Sequence, residues 1–98
     1  MESNYFIVSV TGINPYVTLI QLDGFFMQFT PNVHLITTED AFDGTQKAKV
    51  YCTTSAAAWS IINSINYRVL DGFVMKANMV NKETWDARSN EKANVFMY

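Results

Sequence analysis

The sequence is short of the residues from which covalent staples and metal centres are made: among 98 residues, Cys52 is the only cysteine and His34 the only histidine. A lone thiol cannot close an intrachain disulfide, and the two residues together fall short of the roughly four ligands of a structural zinc site. Neither a metal nor another cofactor is therefore expected. Long apolar runs are missing too. No stretch approaches the roughly twenty residues that cross a bilayer, and the N-terminus lacks the basic and apolar regions of a signal peptide. That reading gives a soluble, intracellular protein with no membrane partner, the cytoplasm being favoured over the nucleus. Positive charge is also scarce. Seven Lys and Arg against nine Asp and Glu leave a net charge of −2, whereas an autonomous nucleic-acid binder usually carries a basic excess that releases phosphate counterions.

What is present suffices for a core. With 49% hydrophobic and 14% aromatic residues, the chain is too apolar to remain disordered, and its length supports one domain rather than two. No internal repeat or low-complexity segment breaks it.

Hydrophobic periodicity gives the order of elements. Tyr5 to Val10 reads as a buried strand that stops at Thr11-Gly12. Asn14-Pro15 is a helix-start signal, followed by Leu19, Leu22, Phe26 and Phe29 at helical spacing. Gly24 weakens that helix by about 1 kcal/mol relative to Ala, and Thr30-Pro31-Asn32 closes it. Val33, Leu35 and Thr37 alternate with His34, Ile36 and Thr38 as in a strand, and a polar turn with Asp43-Gly44 leads into a second strand, Lys47 to Thr54. There Ala48, Val50 and Cys52 share one face, and Lys47, Lys49, Tyr51 and Thr53 the other. Ser55 can cap a helix through Ala56 to Ala58 with Ile61, Ile62 and Ile65 as its apolar stripe. Asp71-Gly72 then turns into a last strand, Phe73 to Val80. The order βαββαβ predicts an α+β sandwich of ferredoxin-like type, a four-stranded antiparallel sheet with two helices on one face. The domain spans residues 4–80. Residues 81–98 form an extension in which Lys82 to Lys92 suggest a third, polar helix, and the abrupt apolar ending Val95-Phe96-Met97-Tyr98 suggests a piece of a longer protein.

From Tyr5 to Val80 the chain resembles an RNA-recognition motif. The resemblance rests on Ala58-Trp59-Ser60-Ile61-Ile62-Asn63-Ser64-Ile65-Asn66, on Leu70-Asp71-Gly72 with Met75 and Ala77, on Val8, Val10 and Ile13, and on Leu22, Phe26 and Phe29. It implies a non-catalytic binding module whose uncovered sheet face stacks unpaired bases on three aromatics. Here Tyr51 keeps one of the three, while Lys49 and Ser9 occupy the other two slots, a loss of about 2–6 kcal/mol of stacking. A peptide-binding branch of the family uses an Arg-x-Phe loop and an acidic first helix. Arg68-Val69-Leu70 and a lone Asp23 depart from that pattern. A fainter likeness is to the amino-terminal motif of a nematode scaffold of small-RNA (piRNA) maturation, a kind of domain that pairs with another.

Candidate RNA contacts are Tyr51, Lys47, Lys49, Lys76 and His34, which the strand phases put on one face. An exposed Tyr or Lys on a sheet is equally an ordinary surface residue, and a lone surface His needs no task. Trp59 is one residue off the stripe Ala58, Ile61, Ile62 and Ile65. With Tyr16, Val17 and Trp85 it makes a set of candidate partner contacts, because apolar surface outside a core commonly marks a protein interface. The same Trp59 could merely cover a helix flank. No catalytic set is visible: Thr11-Gly12-Ile13-Asn14 has too little glycine for a phosphate cradle, and Cys52 alternates into the core as an inert hydrophobe. The expected role is that of an interaction-type RNA-recognition motif in an RNA-processing complex. Its partner is another protein, with a second such domain in a homo- or heterodimer as one form, and weak binding of single-stranded RNA is the alternative.

Overall fold

The computed structural model describes residues 5–80 and, for the backbone alone, 3–4, 83–85 and 94–97. In chain order the elements are β1 (Ser3–Ile13), α1 (Leu19–Met27), β2 (Val33–Asp40), β3 (Gln46–Cys52), α2 (Ser55–Ile65), β4 (Val69–Leu70), β5 (Phe73–Val74), β6 (Lys76–Met79), β7 (Glu83–Trp85) and β8 (Asn94–Met97). The central sheet runs β6-β1-β3-β2, all antiparallel, and both helices pack on one face of it. This is the ferredoxin-like arrangement expected from the sequence.

Central pairing puts Val8 opposite Val50 and Val10 opposite Ala48. These four point to the helices and meet Leu22 and Phe26 of α1, Ala58, Ile61 and Ile65 of α2, and Met75. Cys52 belongs to the same core, where burial pushes its thiol pKa up to about 12, so it stays protonated and unreactive.

Helix α1 starts later than Asn14-Pro15 suggested. Thr18 and Gln21 form a reciprocal capping box, the Gln21 amide donating to Thr18 Oγ1 at 3.2 Å and the Thr18 amide to Gln21 Oε1 at 2.8 Å. Two satisfied donors favour that start over Asn14. Asn14 instead organises the loop before it: its Oδ1 accepts from the Tyr16 amide at 2.8 Å and its Nδ2 donates to the Asp71 carbonyl at 3.0 Å. The cap of α2 is likewise Thr54, one residue before the expected Ser55, accepting from the Ala57 amide at 3.1 Å.

The last strand divides. Asp71 and Gly72 have φ of 49° and 85°, the two successive positive values of the turn that joins a tight hairpin. Val69 and Leu70 therefore fold back onto Val74 and Phe73, and only Lys76–Met79 continues along β1. After Val80 the chain stays on the same edge, Glu83–Trp85 pairing with Ser3–Tyr5. The polar helix expected from Lys82 to Lys92 is thus a strand at 83–85, because β1 begins at Ser3 and offers unpaired backbone groups there; residues 86–93 lie outside the described ones. Asn94–Met97 adds a fifth strand beside β2, with Leu35 opposite Met97 and Thr38 opposite Asn94.

Two close contacts lock the hairpin and the loop before α1 to the sheet. Gly12 has φ of +77°, and a Cβ there would lie 2.5 Å from the Val74 carbonyl oxygen. Buried Gln46 donates from Nε2 to the Val17 carbonyl at 2.6 Å and the Asn14 carbonyl at 2.9 Å. Replacing Gly12 with Ala should lower unfolding stability by more than about 1 kcal/mol, since both the φ and the space exclude a methyl group; an unchanged denaturation midpoint would refute the close approach. Gln46→Met should cost about 1–3 kcal/mol by leaving two carbonyls without their donor, and hydrogen exchange should show the protection of the Asn14–Val17 loop falling first.

Candidate binding surfaces

On the side of the sheet away from the helices, Ser9 faces Lys49 and Asn78, Thr11 faces Lys76, and Thr37 faces Lys49. Ser9 and Lys49 occupy this side, as the sequence phase predicts, because their neighbours Val8, Val10, Ala48 and Val50 fill the helix-side core. Lys47 is exposed and pairs with Glu39 across the strands at 3.3 Å. Lys76 is also exposed and Lys49 half-buried.

The other half of this face is closed. Tyr5, Ile7, Leu35 and Tyr51 form a second, small core with Val80 packed against it. Tyr51, expected as an exposed stacking plane, is only 6% exposed. Its ring meets Tyr5 edge-on at 6.1 Å, and Tyr5 in turn stacks on His34 at 4.7 Å with ring planes 10° apart. A β-bulge produces this cluster. Val33 is opposite Cys52 and Leu35 opposite Tyr51, so His34 is the residue inserted between two consecutive ladder pairs. The bulge puts His34 and Leu35 on the same side and sends Ile36 into the helix-side core. Strict alternation would have kept Ile36 with His34. The one stacking plane that the sequence reading left on this face, Tyr51, is thus spent on intramolecular packing.

The helix side carries a groove. Val17, Gln21, Gly24, Phe25 and Gln28 from the start and body of α1 line one wall and Leu70 and Asp71 of the β4–β5 hairpin the other, enclosing about 460 Å³. The Asn14–Asp71 bond and the close approach of Gly12 to Val74 set the spacing of the two walls. The Arg68 guanidinium sits 5.5 Å from the ring centres of both Phe25 and Phe29, a cation–π contact at one end of the groove. Apolar residues crowd the same two elements: Tyr16 and Ile20 at the α1 entrance and Val69, Phe73 and Val74 on the hairpin are all exposed.

The expected partner contacts fall into different environments. Tyr16 is 89% exposed beside the groove, whereas Val17 is buried and serves as part of its wall. Alternation of a helix entry loop does not tell the two apart; Val17 is buried in the principal core, and its carbonyl accepts from Gln46 Nε2. Trp59 is 51% exposed on α2. The Trp85 backbone pairs with Ser3, and its side chain lies outside the described residues. Asp23 of α1 is half-buried with Oδ1 lacking a hydrogen-bond partner among the described residues, and burial raises its pKa.

Sequence reasoning passed over Ile20, the hairpin side chains and Phe42. Phe42, at the tip between β2 and β3, is wholly exposed, with 112% of its reference surface open. The signals were an aromatic inside a polar turn and an Asp-Gly flanked by Val69, Leu70, Phe73 and Val74.

No family model matches the chain, and no curated protein does. Among the described residues no helix is long and apolar enough to cross a membrane. Among solved structures, the crystal structure of the RRM domain of S. pombe Puf1 is similar, with a TM-score of 0.67 at 12% identity, over 83% of this chain and 95% of that one. Identity that low carries the fold alone: with its two helices on a β2-β3-β1-β6 sheet, this chain folds as an RNA-recognition motif.

Proposed function

We propose that the domain is a non-catalytic protein-interaction module on an RNA-recognition-motif scaffold, working in an RNA-processing assembly, with small-RNA maturation as the narrower setting. Its contact centre is the groove between α1 and the β4–β5 hairpin. The observation that carries this reading is an exchange of surfaces: Tyr51 is buried, while exposed apolar side chains border an open groove on the helix side. Base stacking contributes about 1–3 kcal/mol per base only where a ring plane is open. Opening Tyr51 to a base would uncover Ile7 and Leu35, which are now sealed. The groove has the volume of a typical ligand site and takes one or two large side chains.

A second reading, weak contact with single-stranded RNA, draws on Lys49 and Lys76 beside Ser9, Thr11 and Asn78. These side chains offer phosphate and hydroxyl contacts without base specificity.

Titration of unstructured RNA 12-mers should give affinity no tighter than the roughly 10⁻⁴ M of non-specific contact at physiological salt. Tyr51→Ala should destabilise the fold by about 3–5 kcal/mol, as loss of a large core side chain does. Micromolar RNA binding that Tyr51→Ala removes without lowering the melting temperature would establish the RNA reading instead. A photo-crosslinking residue at Ile20 should form discrete protein adducts in native extract that disappear when Gly24→Met fills the groove, while the same residue at Asn63 of α2 should not. Equal adducts at both positions would refute the groove as the contact centre.

A further inference from the structure

We propose that the groove is filled by a second copy of this chain, each copy inserting Phe42 between α1 and the β4–β5 hairpin of the other. This deepens the protein-interaction reading and rests on it. Phe42 has no intramolecular packing to lose, being fully exposed. Its turn is already ordered: the Ala41 amide donates to the Thr45 carbonyl at 2.9 Å, and the Thr45 amide and hydroxyl donate to Asp43 Oδ1 at 3.1 and 2.6 Å. A preorganised aromatic forfeits little freedom on docking and is the kind of residue that dominates interface energies.

The receiving groove matches it in size and chemistry. Its roughly 460 Å³ exceeds a benzyl group, and Val17, Phe25 and Leu70 supply apolar wall. Charge fits as well. Phe42 is next to Asp43, whose carboxyl pKa the Thr45 hydrogen bonds lower, and close in sequence to Asp40, while Glu39 is already paired with Lys47. Arg68 lies over Phe25 at the groove and makes no ion pair among the described residues. Asp71 on the opposite wall repels an incoming acid, which selects the orientation that directs Asp43 toward Arg68.

Position explains why the contact closes at two copies. Gln46, the first residue of β3, is opposite Ile13 and bonds to the Asn14 and Val17 carbonyls. Tip and groove entrance are therefore at the same end of the sheet, so a two-fold axis can make both insertions at once. Such a reciprocal, isologous contact closes at two copies.

Sedimentation equilibrium of the whole chain tests this with two variants. Phe42→Asp removes the tip, and Gly24→Met plugs the groove; no atom lies within 4 Å of a Cβ at Gly24, so the new side chain enters open space. Wild type should pass from monomer to dimer with concentration and stop there. Each variant, with circular dichroism and melting temperature preserved, should associate at least about tenfold more weakly. An equimolar mixture of the two should regain dimers, because one intact tip still meets one intact groove. Dimerisation of either variant at wild-type strength, or a mixture no better than its folded components, overturns the proposal. A wild type that is monomeric throughout overturns the second copy as occupant while crosslinking at Ile20 separately decides the protein-interaction reading.

Discussion

The pairing of β1 with β3 is the constraint on which the remaining structure depends. By setting Val8 against Val50 and Val10 against Ala48 it assigns one face of the two central strands to the helices, and by setting Ile7 against Tyr51 and Ser9 against Lys49 it assigns the other. A slip of one residue would turn every side chain over, burying Lys49 among the isoleucines of α2 and expelling four apolar residues. An unpaired lysine in such a core loses several kcal/mol of hydration, so the register is fixed by cost on one face as much as by contact on the other. Everything that could meet a ligand is placed relative to this frame.

Much of the frame was legible because it is written in periodicity. The alternation that assigns Ala48, Val50 and Cys52 to one face and the Ala58, Ile61, Ile62, Ile65 stripe each mark the boundary of the principal core, and the structure buries these residues. Features that arise from competition between local signals were harder to read. Asn14-Pro15 and Thr18-x-x-Gln21 are both helix starts, and the second prevails because its two hydrogen bonds are reciprocal while Asn14 is drawn to Asp71, 57 residues away. The run Phe73 to Val80 has the pattern of one strand, but the left-handed pair Asp71-Gly72 returns its first two residues to Val69 and Leu70. Pairing of Glu83–Trp85 with β1 and of Asn94–Met97 with β2 is non-local and leaves little trace in the local pattern.

Site residues were less legible than the fold for a related reason. A side chain's phase says which face it occupies but not whether that face is covered. Tyr51 is on the side expected of it, yet the bulge at His34 brings Leu35 beneath it and Tyr5 against it. One inserted residue thereby converts a surface aromatic into interior, a change that residue types alone do not reveal. The same logic runs in reverse at Phe42, where a residue type normally buried stands free because the two-strand turn carrying it reaches past the core.

The two alterations are coupled through the role each leaves vacant. A sheet whose rings stack on one another offers polar side chains on its remaining half, which supply positioning contacts but little discrimination. The helix-side groove has its shape imposed by a backbone contact at Gly12, a loop held by Gln46 and a turn that needs two positive φ angles. None of these three devices adds to the principal core, and each constrains the space between α1 and the hairpin. A fold of this kind tolerates many functions, and the site decides among them. Here the positive-φ turns and the close backbone approach gather around the helix-side groove.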